Sequence, residues 1–303
     1  MMRSRLFWVC ATALAVAAVL PLGVSGYVLG LLTLAYYFGV FAMSWDLLFG
    51  FAGEVTFGPT FLIGLGAYGA GILNNETGLP VSVCVAFGTA LAVAGGLLLA
   101  VPALRLTGPY FGLVTLVAVA LLQQVVTTFA RTTGGEIGLA VPDILSIDDA
   151  TNYYIALVFM AASGVALVVL SRSALGLILQ ACGQDPVEAQ ALGFNVAKHK
   201  VAAFAVSALF SGMAGAMLIF YMGTVSPSTV IDISVGLQVI IAAVLGGRRT
   251  IVGAALGAVV LIIAGELLRP LGEMATFIVS AAALLVILFL PAGLLGLVLR
   301  RDA

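Results

Sequence analysis

The chain has 303 residues, of which 63% are hydrophobic and only 8% charged, with a formal net charge of −1 and a mean hydropathy of +1.24. That composition leaves no stretch polar enough for a separate soluble domain and fits a polytopic helical membrane protein. Alternating ten-residue segments of the barrel type are missing, which excludes a transmembrane β-barrel.

Taken from the start, Arg3 and Arg5 precede an apolar run from Leu6 to Val24, with small residues at Val24-Ser25-Gly26. The run is long for a signal peptide and more spans follow at once, so an uncleaved first helix is expected. Apolar runs then recur along the whole length, as a hydrocarbon layer of about 30 Å demands. They divide into ten predicted spans, at about 6–24, 27–50, 55–73, 79–103, 108–130, 153–170, 199–222, 232–247, 250–268 and 274–298. The third is short and glycine-rich, and the eighth is short. The fold class expected is therefore all-α, with about ten transmembrane helices in one domain over residues 1–303.

Charge placement orients these spans. With the N-terminus inside, Arg3, Arg5, Arg105, Arg172, Lys198, Lys200, Arg248, Arg249, Arg300 and Arg301 all fall on the inner side. Only Arg131 and Arg269 remain outside, a positive-inside asymmetry that favours an even number of spans and cytoplasmic termini. An outer loop at about 131–152 then carries Glu136, Asp143, Asp148 and Asp149, and an inner loop occupies about 171–198.

The inner loop carries its own helix signals. Asp185 is placed as N-cap, Pro186 at the first helical position, Glu188 in the first turn and Gly193 as the stop. A capped helix of about two turns is expected there, and a membrane protein that displays one points to a soluble partner. Further along and before it, Gly58-Pro59 and Gly108-Pro109 stand at span entrances. Such pairs suggest broken helix ends, a device used near transport paths. Small residues four apart, Ala208/Gly212 and Gly253/Gly257, fit close helix packing.

Ionisable groups near spans are functional candidates. Asp46 and Glu54 are expected near the inner interface, and Glu266 is expected to pair with Arg269 at i,i+3. Gln123, Gln124 and Gln238 lie within spans, where they either join helices or line a path. His199, flanked by Lys198 and Lys200, is expected as an interfacial residue. Cys10, Cys84 and Cys182 have no metal or disulfide spacing. No nucleotide-binding loop occurs and no zinc-site spacing, so neither an enzyme nor a cofactor is expected.

Six fragments in order carry a family resemblance: GFAGEVTFGPTFLIGLGAY (Gly50 to Tyr68), LRLTGPYFGLVTL (Leu104 to Leu116), TGGEIGL (Thr133 to Leu139), EAQALGFNVAKHKVAAFAVSALFSGMAGAM (Glu188 to Met217), VLGGRRTIVGAALGAVV (Val244 to Val260) and LPAGLLGL (Leu290 to Leu297). The chain resembles the inner-membrane permease subunit of a bacterial ABC importer of the branched-chain amino acid type. The resemblance implies a second permease subunit, related or identical, cytoplasmic ABC ATPases, and a periplasmic or lipid-anchored solute-binding protein, all in the setting of membrane lipid and without nucleic acid. It implies that Asp185, Pro186, Glu188, Ala189, Leu192 and Gly193 form the coupling helix, which transmits ATPase closure. A translocation path over Thr56, Gly58, Pro59, Tyr68, Gln123 and Gln238 is expected. The sequence departs from the family at Pro59, where a histidine is common, in its thinned basic residues before the coupling helix, and in the added basicity of Arg248-Arg249. The cargo expected is a branched-chain or other amino acid, with urea, amides and other small solutes as alternatives. An ion-coupled secondary transporter working through Asp46 or Glu54 is the rival class, and a purely structural membrane subunit a third.

Overall fold

Proline and glycine punctuate the apolar sequence, and the helices start and stop where they stand. The computed structural model describes residues 12–103 and 109–272, together with residues 274, 278, 281 and 293. The predicted spans at 6–24 and 274–298 therefore fall partly or mostly outside the described residues, as do Cys10, Gly108, Arg105 and the basic residues of both termini.

Helix α1, Gly26–Asp46, runs on into one turn of π-helix, Leu47–Phe51. Helix α2, Pro59–Thr77, starts with proline at its first position and stops at Gly78 in the left-handed conformation, as the asymmetry of helix ends favours. Then follow α3 (Val81–Ala103), α4 (Pro109–Thr128) and the single turn α5 (Ala130–Thr133). Helix α6, Asp149–Arg172, is capped by Asp148, which accepts from the Thr151 amide at 2.9 Å. Two shorter helices come next, α7 (Ala174–Gln184) and α8 (Pro186–Ala191). The long α9 (Val196–Met222) is capped by Asn195 and closed by Gly223. A single turn, α10 (Pro227–Val230), precedes α11 (Ile233–Gly246) and α12 (Val252–Leu268).

Six helical segments are long and apolar enough to cross a membrane among the described residues: Gly26–Phe51, Val81–Pro102, Tyr110–Thr128, Asp149–Arg172, Val196–Met222 and Pro227–Gly246. They match six of the ten expected spans. The expected third and ninth spans are helices as well, α2 and α12, but α2 is not among these six and the 17-residue α12 is short. The all-α expectation holds apart from one small ladder. Strands β1 (Leu139–Ala140) and β2 (Thr224–Val225) pair antiparallel, Leu139 opposite Val225 and Ala140 opposite Thr224. The ladder ties the loop after α5 to the exit of α9.

Two helix groups share one core. In the first, α2, α3 and α9 approach so closely that a Cβ on Gly66 would strike the Gly212 backbone, and one on Gly88 the Gly66 carbonyl. Small residues allow this in lipid, where dispersion and hydrogen bonds rather than water drive association. In the second, α1 packs against α6, α11 and α12. Hydroxyl pairs hold the layers: Ser44 with Ser211 at 2.6 Å, and Tyr36 with Tyr153 at 2.7 Å. Apolar side chains of α4 and α6, such as Leu113, Val117, Val158 and Val165, stand exposed on the outer faces, as surfaces facing lipid do.

Candidate functional site: a docking helix and two broken helices

One end of the bundle collects Asp46, Glu54, Arg172, Lys200 and Arg248. The helix predicted from Asp185 is there. The Asp185 carboxylate accepts from the amides of Val187 (2.8 Å) and Glu188 (3.0 Å), and Pro186 begins the helix. At the other end, the Gly193 amide donates to the Gln190 carbonyl and the Phe194 amide to the Ala189 carbonyl. Together with the φ of +88° at Gly193, this is a Schellman stop that requires glycine.

The two faces of α8 differ. Ala189 is buried with Cys182 and Val196 in a small apolar cluster, so it seats the helix. Val187 and Leu192 are each 74% exposed, and Glu188 and Gly193 are exposed beside them. Val187 is the residue that sequence reasoning missed; its apolar side chain directly after the proline was the available signal. Burial pushes the Cys182 thiol above its usual value.

Directly before α8 comes α7, whose 11 residues are too few to span a bilayer. Its end is fused to the end of α1. A Cβ on Gly53 would stand 2.7 Å from the Gly183 carbonyl oxygen, and one on Gly183 would stand 2.6 Å from that of Phe51. Gly53 also has φ +72°, which disfavours any side chain there. Next to this contact, Lys200 pairs with Glu54, both side chains largely buried. His199 Nδ1 lies 2.7 Å from the Asn195 carbonyl oxygen and packs edge-on to Phe194, a local anchoring role that agrees with the sequence reading.

Asp46, at the basic end, is fully buried within the protein. Its carboxylate accepts the backbone amides of Arg249 (3.0 Å), Thr250 (3.1 Å) and Ile251 (3.0 Å). Three successive amides converging on one anion form a nest. They hold the α11–α12 turn, where Arg249 and Ile251 both take positive φ, a costly conformation for side-chain-bearing residues. Arg249 adds an Nε bond to the Gly50 carbonyl at 2.7 Å, and Arg248 stacks over Phe49. With all its partners supplied by backbone, Asp46 is a clamp between helix ends. Glu266 does pair with Arg269, as expected, and Tyr27 joins them.

From Gly53 the chain turns back along α1. The Trp45 indole donates to the Thr56 carbonyl at 2.9 Å, which puts Thr56 level with Trp45, six residues or about 9 Å before the end of the π-turn. Helix α2 thus begins within the thickness of the bundle. The Thr56 hydroxyl accepts the Gly58 amide at 3.2 Å, and Thr115 of α4 accepts the Phe57 amide at 3.1 Å. A Cβ on Gly58 would strike the Thr115 carbonyl. From the opposite end, α11 also begins partway across: Ile231 packs where Gly64 lacks a side chain, and Gly236 lies against Pro59 and Thr60. The broken end predicted at Gly58-Pro59 is present; Gly108 lies outside the described residues.

Of the expected path residues, Thr56, Gly58 and Pro59 come together at this break. Tyr68 is buried further along α2, its hydroxyl without a hydrogen-bond partner among the described residues, Gln123 is half-buried on α4, and Gln238 is exposed on α11. Thr60 and Thr115 complete the surroundings and were missed; a threonine just after Gly-Pro was the one local signal. Among the described residues no group of three His, Cys, Asp or Glu could hold a metal ion.

Comparison with known proteins agrees with this architecture. The family described as branched-chain amino acid transport system / permease component matches residues 27–291. The high-affinity branched-chain amino acid transport system permease protein LivM of Escherichia coli (strain K12) is 27% identical over 322 residues, covering 97% of this chain and 75% of LivM. LivH of the same strain is 33% identical over 135 residues, 44% of this chain and 43% of LivH. BraD of Pseudomonas aeruginosa is 33% identical over 140 residues, 46% of this chain and 45% of BraD. No solved structure matches. The chain belongs to the branched-chain amino acid permease component family; it is a multi-pass integral membrane protein and not itself an enzyme, since ATP hydrolysis in such systems rests on a separate subunit.

Proposed function

We propose that this member of the branched-chain amino acid permease family is the LivM-type half of an ATP-driven importer, carrying a branched-chain or related amino acid inward by alternating access. Similarity over 97% of this chain and 75% of LivM, against 44% of this chain and 43% of LivH, supports a pairing with a second, related permease subunit. The basic end is then cytoplasmic, with both termini inside a bacterial inner membrane, in keeping with the positive-inside rule. Cytoplasmic ABC ATPases dock on α8, and a solute-binding protein, periplasmic or lipid-anchored, delivers cargo to the opposite end.

The observation that carries this reading is α8. A six-residue helix, stopped at both ends, presents Val187 and Leu192 to water. Exposed apolar side chains on so well-defined an element fit a protein cleft. Movement of a docked ATPase would pass through α7 and the Gly183–Gly53 contact into the strip Glu54–Gly58, and so to the start of α2. That strip, with Thr56, Gly58 and Pro59, and the faces bearing Tyr68, Gln123 and Gln238, form the proposed path.

Co-purification tests the reading. The chain, expressed with its partner permease and ATPases, should hold the ATPases through affinity purification. Glu188→Arg and Gly193→Pro should release them while the permease still inserts. ATPases retained by both variants would contradict the docking assignment.

A further inference from the structure

Where α2 and α11 meet, two polar features have no assigned task. Helix α2 starts partway across the bundle with no acidic residue in its first turn and no side-chain cap from Gly58. Its peptide dipoles therefore leave about half a positive charge at Pro59–Phe61. Thr60, in that turn, is fully buried, and its hydroxyl has no hydrogen-bond partner among the described residues. A buried hydroxyl left unpaired calls for an explanation, and a missing ligand is one. The oxygen faces Gly236 of α11, lying 3.5 Å from where a Cβ would stand. Glycine at 236 therefore keeps side-chain bulk out of the space beside that hydroxyl.

Helix α11 differs from α2 at its start. Asp232 caps it, accepting from the Ser234 amide and hydroxyl through Oδ1. Ile231 sits opposite Gly64 and Gly236 opposite Thr60, so the two helices run antiparallel here. Asp232 lies four residues from Gly236, about one helical turn or 6 Å further toward the opposite end. One positive helix end with a free hydroxyl and one carboxylate thus stand about a turn apart.

We propose that this meeting point is a transit subsite for a zwitterion: the solute's carboxylate on the first turn of α2 and the Thr60 hydroxyl, its ammonium toward Asp232. The inference rests on the importer reading and narrows it to α-amino acids. A bare carboxylate gains from α2 but is repelled by Asp232. A bare amine gains from Asp232 but is repelled by α2. A neutral amide gains only the Thr60 hydrogen bond. A zwitterion uses both poles, which is how helix ends and fixed charges select ions inside membranes.

The test uses the complete importer in proteoliposomes, with L-leucine as probe and the solute-binding protein kept saturated, and reads leucine accumulated per ATP hydrolysed. Thr60→Val should lower that ratio about tenfold, the worth of a hydrogen bond to a charged group, with the complex still assembled. Thr60→Ser should restore most of it. Asp232→Asn, which keeps a good helix cap, should also lower the ratio by about tenfold. Wild-type coupling in Thr60→Val, or equal impairment in Thr60→Ser, overturns the subsite while leaving the importer reading intact. A wild-type complex that accumulates urea or acetamide but not leucine overturns the amino acid reading and the subsite together.

Discussion

The basic end of the molecule and its middle solve opposite problems. At the basic end, α8 holds apolar side chains, Val187 and Leu192, out in water. In the middle, Thr60 holds a buried hydroxyl with no hydrogen-bond partner among the described residues. Each arrangement is unfavourable for an isolated chain: the first invites association, and the second leaves a hydrogen bond unmade. The difference lies in what relieves them. A protein surface suits the first, and a small charged solute suits the second. Between the two runs a short path of backbone contacts, from α7 through Gly183 and Gly53 to the strip that starts α2.

Substitutions can separate these regions. The largest effect is expected at the clamp that holds the frame. Asp46→Ala leaves three amides without an acceptor, that of Ile251 buried and the other two part-buried, at about 1–3 kcal/mol for the buried one, and frees a turn with two strained residues. The purified variant should unfold at a much lower temperature than wild type, measured by thermal unfolding in detergent; Asp46→Asn should recover part of the loss. An unchanged unfolding temperature for Asp46→Ala would remove the clamp from the account.

Next comes the link between the regions. Gly183→Val forces side-chain atoms into the Phe51–Gly53 backbone, an overpacking of about 1–3 kcal/mol. The variant should still bind ATPases through α8, yet its ATP-driven uptake should fall at least tenfold, a loss of the order that such an energy implies. Loss of ATPase binding instead would mean that the contact shapes only the docking end.

Val187→Asp and Leu192→Asp confine the damage to that end. Both side chains are exposed, so folding should change by less than about 0.5 kcal/mol, while co-purified ATPase should drop severalfold. Retained ATPase in the double variant would show that the apolar face is not the contact. The smallest effect concerns Cys182. Burial raises its thiol pKa, and the thiolate is the reactive form. Its alkylation by a maleimide at neutral pH should therefore be slow in the resting protein and faster once α8 is detached from its seat by Ala189→Glu.

How much of this was readable from the chain depends on range. Helix α8 is a local object: Asp185, Pro186, Glu188 and Gly193 each act on backbone within a few residues, so the sequence pattern located both its start and its stop. Six of the ten expected spans were readable for the same reason, since hydropathy is a property of consecutive residues. The clamp role of Asp46 was not readable, because its partners, Arg249 to Ile251, lie about 200 residues away and contribute backbone amides, which no side-chain pattern reveals. The middle of the molecule was half readable. Gly58-Pro59 announced a broken helix, but the role of Thr60 depends on Gly236, and that pairing exists only after α2 and α11 have packed antiparallel. Ala189, one of the residues expected to form the coupling helix, is the one that seats it against Cys182 and Val196.

The central claim is that ATP, acting through α8, drives solute movement past the α2 break. The most direct measurement is leucine uptake into proteoliposomes holding the chain with its partner permease, ATPases and solute-binding protein. ATP should drive accumulation and a proton gradient alone should not, and the Val187→Asp, Leu192→Asp double variant should abolish the ATP-driven part. Uptake by the chain without ATPases on a proton gradient, unaffected by that variant, would contradict the account.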